Sequence, residues 1–200
     1  MTFKLSKIII FLIIIILGAL IYFLSMKKAE APIVPKEREE KMGEAEAEKL
    51  PSFKQADFSK FNSSFKFMGK IPAGFEIEYI PQLKALSIYD PNFSGENVRE
   101  KSQIYITYFE ANGFLTLSTV DILKREETLT RGYDAVFYEI AKKSVVPDFS
   151  QQPSWRNQKH TALDIRFTRN SPSLFYSFAR NPDLSEGVFN DFINFLEFHN

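Results

Sequence analysis

The sequence predicts an α+β fold: an N-terminal transmembrane helix followed by one layered domain with a largely antiparallel sheet and packed helices. Three observations support this prediction. An uncharged apolar run covers residues 8–26, a charged segment follows it, and strand-like and helix-like patterns fill the rest. The chain therefore divides into a membrane anchor at 1–28, a Pro-bounded linker at 29–51 and a globular domain at 52–200.

The amino-terminal apolar run is the clearest feature of the chain. Nineteen uncharged residues extend from Ile8 through Met26, and lysines flank them on both sides. A helix of this length is roughly 28 Å long, close to the hydrocarbon thickness of a bilayer. The alternatives are a cleaved secretory signal and a buried core helix. The small-x-small site nearest the run, Ala29-Glu30-Ala31, is followed directly by Pro32, which makes cleavage there unfavourable.

The expected topology is that of a single-pass cell-membrane protein. More positive charges follow the apolar run than precede it, so the positive-inside rule by itself favours a cytoplasmic C-terminal side. That rule weakens for long translocated domains. We therefore expect a signal anchor, with the C-terminal domain outside the cytoplasm. The linker is a semi-rigid spacer, because ten of the fourteen residues at 36–49 are charged and cannot bury a core.

Composition narrows the classes of chemistry. Residues 52–200 hold 17 basic and 18 acidic side chains. This nearly balanced charge lacks the basic excess that is typical of nucleic-acid-binding domains. The chain has no cysteine and only two histidines, His160 and His199, so a three-histidine metal site is impossible. It also lacks phosphate-loop, dinucleotide and nucleophile-elbow motifs. We expect no metal and no cofactor. The expected partners are the bilayer, through residues 8–26, and another protein.

Six strands are predicted from runs of β-branched and aromatic residues, several of them alternating with polar ones. They cover Phe75 to Tyr79, Leu86 to Tyr89, Gln103 to Phe109, Tyr133 to Ala141, Thr161 to Thr168, and Leu174 to Ala179. In the fifth strand Leu163, Ile165 and Phe167 form one face, which is expected to be buried. Ala162, Asp164 and Arg166 form the other face, which is expected to be exposed to solvent.

Two helices are predicted in the domain. A short helix from about Thr119 to Glu127 would use Ser118 as its N-cap and Asp121 as a capping-box partner. A second helix begins near Ser185, and its apolar stripe faces the core. That stripe consists of Phe189, Phe192, Ile193 and Leu196.

The order of these elements resembles a known family. A Pro-x-Gly-Phe turn at 72–75 precedes the first strand, and a helix precedes the sequence Arg-Gly-Tyr-Asp-Ala at 131–135. A late aromatic strand is then followed by a closing helix. This pattern resembles the PsbP/Mog1-like α/β/α sandwich over about residues 65–198. The resemblance implies that fold and a non-enzymatic binding or assembly role, and it assigns no site residue.

Candidate site residues cluster around the single tryptophan. They are Trp155, Arg156, His160, Asp164 and Arg166. One interpretation is a loop pinned by Trp155 that leads into a strand carrying an Asp164–Arg166 ion pair. A second is a ligand or partner patch, because Trp with Arg is a frequent anchor pair at interfaces. A catalytic role is the third.

Two functional hypotheses follow. The first is a membrane-anchored, extracytoplasmic binding or assembly module, which is not an enzyme. The alternative is a membrane-anchored envelope hydrolase that uses His160 with Asp164 or Glu139. An extended strand would hold His160 and Asp164 roughly 13 Å apart, which argues against the second hypothesis.

Overall fold

A computed structural model describes residues 52–114 and 118–199. This part of the chain forms ten strands and one α-helix. In chain order the elements are β1 (Phe53–Asp57), β2 (Phe67–Pro72), β3 (Glu76–Ile80), β4 (Ala85–Tyr89), β5 (Ser102–Ala111), β6 (Val120–Thr130), β7 (Tyr133–Lys142), β8 (His160–Arg166), β9 (Ser173–Arg180), α1 (Glu186–Asn194) and β10 (Glu197–Phe198). Short 3-10 turns lie at Phe58–Lys60, Pro81–Leu83 and Ser154–Asn157.

Two antiparallel sheets organise the domain. The larger has seven strands in the order β3-β4-β5-β9-β8-β7-β6, and the smaller has the order β1-β2-β10. Every pairing between neighbouring strands is antiparallel. The strands β3 and β6 therefore form the two edges of the larger sheet.

The main core lies between one face of the larger sheet and a layer formed by the smaller sheet and α1. Phe67 from β2, Phe192 from α1 and Phe178 from β9 are buried there in one continuous cluster. The ring centroid of Phe178 lies 5.6 Å from that of Phe67 and 6.0 Å from that of Phe192. Aromatic side chains thus join the larger sheet, the smaller sheet and α1 on this face.

A different segment of the chain packs on the opposite face of the larger sheet. The connection between β7 and β8, residues 143–159, crosses it and buries Trp155 against Ala85, Tyr105 and Ala179. A separate apolar cluster lies beside it, around Tyr138. Both faces of the central strands are consequently buried, although only one face carries the main core.

The predicted α+β fold class is wrong. The described domain is mostly antiparallel β-structure, and α1 is its one α-helix. The six predicted strands correspond to β3, β4, β5, β7, β8 and β9, and the closing helix is confirmed as α1. Its N-cap is also confirmed, because the Ser185 hydroxyl accepts a hydrogen bond from the Val188 backbone N–H. The layer that covers the core is built largely from β1, β2 and β10, which the sequence patterns did not reveal.

The helix predicted from Thr119 to Glu127 is also wrong, because β6 occupies these residues. A tight turn at Arg131-Gly132 joins β6 to β7, and both turn residues have positive φ, at 53° and 83°. Two successive positive φ values are typical of a type I′ hairpin, whose twist matches that of paired strands. The hairpin lets residues 120–130 pair along the whole length of β7, and these tertiary bonds override the local capping pattern.

None of the helices in residues 52–114 and 118–199 is long and apolar enough to span a membrane. The predicted transmembrane helix at 8–26 and the linker at 29–51 lie outside the described residues.

Candidate functional site

Trp155 is a buried anchor of the β7–β8 connection. Only 6% of its surface is exposed. Its indole N–H donates a hydrogen bond of 2.9 Å to the backbone carbonyl of Ser102, at the start of β5. The side chain therefore fastens the connection to the sheet through both packing and a hydrogen bond.

Arg156 places a charge above the same face of the sheet. Its guanidinium carbon lies 5.5 Å from the ring centroid of Tyr105, a cation–π distance. The Nε atom is buried and has no hydrogen-bond partner among the described residues, and the same is true of the Tyr105 hydroxyl. Burial lowers the pKa of Arg156 and raises the pKa of Tyr105 to about 12.

Asp164 lies on β8 and faces this buried region. It is 4% exposed and lies directly opposite Ser177 of β9. Burial raises the pKa of Asp164 to about 6, while the Ser177 hydroxyl and the Arg156 guanidinium oppose the shift. The carboxyl group is therefore held in a protein environment that disfavours its charge.

His160 is a neutral, buried histidine. It is 4% exposed, and its ring centroid lies 5.6 Å from that of Trp155. Because Nδ1 is 2.8 Å from the backbone carbonyl of Gln158, Nδ1 carries the proton and donates it. Burial and the nearby Arg156 charge lower the pKa of His160 to about 4.

Arg166 lies apart from this group. Its guanidinium carbon is 5.1 Å from the ring centroid of Phe114 and 5.3 Å from that of Phe175. Its closest carboxylate contact is with Asp134, at 4.0 Å. The predicted Asp164–Arg166 ion pair is therefore wrong, and so is the solvent-exposed face of β8, because Ala162 and Asp164 are buried.

The five predicted residues thus separate into a group of four around the buried Trp155 and the single residue Arg166, which lies apart from them. The exposure that a partner patch around Trp155 and His160 requires is absent, because these side chains are only 6% and 4% exposed. Direct contact of the five residues with a ligand or partner stays a prediction.

The residues of the hydrolase alternative do not converge in the described domain. His160 and Asp164 lie four positions apart on one uninterrupted strand, and this spacing alone separates them by roughly 13 Å. Glu139 is paired with Thr161, so it projects from the opposite face of the sheet to His160. Its carboxylate instead contacts the Lys159 ammonium at 2.7 Å. No cluster of three potential metal ligands occurs within residues 52–114 and 118–199.

The edge strand β6 has the features of a docking surface. It is 11 residues long, its only neighbour in the described sheet is β7, and all nine residues from 121 to 129 are exposed. Five large hydrophobic side chains are exposed in the described chain, and three of them belong to β6. These three are Ile122, Leu123 and Leu129. An exposed edge strand presents unpaired backbone N–H and C=O groups that can bind a further strand.

Charged side chains on β6 form two ion pairs, each between residues two positions apart. The Lys124 ammonium contacts the Glu126 carboxylate at 3.0 Å, and the Arg125 guanidinium contacts the Glu127 carboxylate at 2.8 Å. A bulge at Leu123 interrupts the pairing with β7 just before these residues. Charges and bulges both discourage indiscriminate edge pairing, so a partner strand needs complementary charges.

A groove of about 500 Å³ lies beside the end of β6. The lining residues are Phe114, Glu127, Thr128, Leu129, Asp134, Ala135 and Arg166. Arg166 is thus the one predicted site residue that lies next to the edge strand. The groove offers both apolar surface and charges of either sign to a side chain that enters it.

Comparisons with known proteins report similarity of fold. No protein-family model matches this chain, and no curated protein matches it. The solution structure of cyanobacterial PsbP from Synechocystis sp. PCC 6803 is 9% identical and covers 79% of this chain and 99% of its own, with a TM-score of 0.42. A crystal structure from Bacteroides thetaiotaomicron is 10% identical and covers 68% of this chain and 46% of its own, with a TM-score of 0.28. The predicted resemblance to PsbP is therefore supported only as a distant similarity of fold, and this similarity assigns no function.

Sequence reasoning missed β6 as a functional element, although a signal was available. Lys124 with Glu126, and Arg125 with Glu127, are opposite charges two residues apart. That spacing places both members of a pair on the same face of a strand. The period-two charge pattern indicates a strand, whereas the capping pattern at Ser118 predicts a helix over the same residues.

Proposed function

We propose that this chain is a membrane-held, extracytoplasmic binding module without catalytic activity, and that it binds an extended protein segment along β6. Residues 8–26 hold it at the bilayer, and the domain at 52–200 reaches the partner beyond the charged linker. In this mode, hydrogen bonds between backbones supply affinity, and side-chain pockets beside the strand supply specificity.

The exposed edge of β6 is the observation that supports this proposal. Leu129 is 72% exposed even though it forms part of the wall of the groove that contains Arg166. A partner strand along β6 would cover this side chain and satisfy the outward backbone groups at the same time. The buried Trp155 group then has a structural role, because it holds the β7–β8 connection against the sheet that carries β6.

A photo-crosslinking amino acid placed at Leu129 tests the proposal in the full chain, in the membranes of the cell that makes it. We expect a protein adduct at position 129, because a strand bound along β6 lies within reach of this side chain. Val145 is the matched control, since it is an aliphatic residue of similar exposure (86%) on the β7–β8 connection. The adduct is read by electrophoresis and mass spectrometry.

The control separates specific docking from random encounters. Position 145 should yield little or no adduct with the protein that is captured at position 129. Equal capture at both positions, or no protein adduct at position 129, would contradict docking along β6.

A further inference from the structure

The charge pattern of β6 indicates which partner it fits. The central four residues, from Lys124 through Glu127, carry two positive and then two negative charges. We infer that β6 pairs antiparallel with β6 of a second copy of this chain, with Glu126 at the two-fold axis. This inference rests on the proposed function and names the partner of the same edge.

Symmetry restricts the possible registers. Two antiparallel strands in one continuous sheet are related by a two-fold axis perpendicular to that sheet, and residues directly opposite each other point to the same face. Successive residues point to opposite faces. One residue must therefore lie directly opposite its own copy, and the axis passes midway between the two.

Centring on Glu126 gives the best match of charge. It places Arg125 of each copy opposite Glu127 of the other, so two attractive pairs form across the axis. The two copies of Glu126 then face each other, but each already contacts its own Lys124 at 3.0 Å. Centring on Arg125 would instead place the two copies of Arg125 opposite each other. Glu127 of each copy, the carboxylate partner of Arg125, would then lie opposite the bulge at Leu123 of the other copy.

The apolar side chains agree with the same register. Centring on Glu126 brings Leu129 of one copy beside Leu123 of the other, at both ends of the pairing. These leucines are 72% and 53% exposed in the single chain. A second copy therefore covers exposed apolar surface in addition to matching the charges. Centring on Glu127 would place Leu129 opposite the charged Arg125.

The test uses two differently tagged copies of the full chain in the same membranes, with the photo-crosslinker at Leu129 of one copy. We expect an adduct that carries both tags. Either Arg125→Glu or Glu127→Arg, introduced in both copies, should lower its yield about tenfold, because two attractive cross-strand pairs become repulsive. Lys54→Glu, a charge reversal at an exposed position on β1, should leave the yield unchanged.

Mixing the two variants gives the decisive result. When one copy carries Arg125→Glu and the other Glu127→Arg, each new charge faces an opposite charge across the axis, so the yield should recover. Recovery in the mixture, with loss in each variant alone, supports the inference. Failure to recover overturns it. An adduct at position 129 that contains a different protein overturns self-pairing and keeps the proposed function, whereas no protein adduct overturns both.

Discussion

Replacing Trp155 with alanine should destabilise the domain by about 3–5 kcal/mol, the range observed when a large aromatic side chain is removed from a core. The indole is 6% exposed and packs against residues of β4, β5 and β9. Its loss also removes the hydrogen bond to the Ser102 carbonyl. Urea-induced unfolding of the full chain in detergent would measure the change.

Two further variants make this result specific. Trp155→Phe retains much of the packing and loses the N–H donor, so we expect an intermediate loss of stability. Val145→Ala changes an exposed residue of the same connection and should have almost no effect. A loss below about 1 kcal/mol for Trp155→Ala would contradict the buried anchor.

Asp164 and His160 should make opposite contributions to the pH dependence of stability. Burial raises the pKa of Asp164 from 3.8 to about 6, so between these values the folded state binds a proton that the unfolded state releases. The contribution of Asp164 to stability therefore increases as the pH falls through 6 towards 4. Burial lowers the pKa of His160 from 6.5 to about 4, so its contribution decreases as the pH falls through 6.5 towards 4.

Each contribution is about 3 kcal/mol over its full pH range, since one pKa unit corresponds to about 1.4 kcal/mol. The two nearly cancel in the natural chain, and single variants separate them. On going from pH 7 to pH 4.5, we expect the stability of His160→Gln to rise relative to the natural chain and that of Asp164→Asn to fall. Urea-induced unfolding at both pH values measures the difference, and an unchanged pH dependence in both variants would contradict the burial of these groups.

The sequence patterns predicted the central strands well because these strands carry dense β-branched and aromatic runs. They failed at β1, β2 and β10, which are short or mixed in polarity. In addition, β10 pairs with β2, which lies far away in the chain. β8 illustrates a second limit. Its alternation predicted one buried face, but the β7–β8 connection also covers the other face. Alternation within a strand cannot reveal a distant segment that packs over it.

The candidate site shows the same division between local and distant information. The sequence identified Trp155 and its neighbours by residue type, but not their burial, which depends on where residues 143–159 cross the sheet. The position of β6 at a sheet edge is likewise a property of the strand order and not of residues 120–130. The exposed leucines of β6 indicate a docking surface only because β6 lies at the edge of the sheet.

Amide hydrogen exchange along β6 tests the central claim most directly. In an edge strand, alternate backbone N–H groups point away from the neighbouring strand, and they exchange rapidly unless another strand binds them. For the full chain in its native membranes, we predict that the outward amides between Lys124 and Thr130 are protected to a similar extent as those that face β7. Rapid exchange of the outward amides, with protection confined to those that face β7, would contradict docking along this edge.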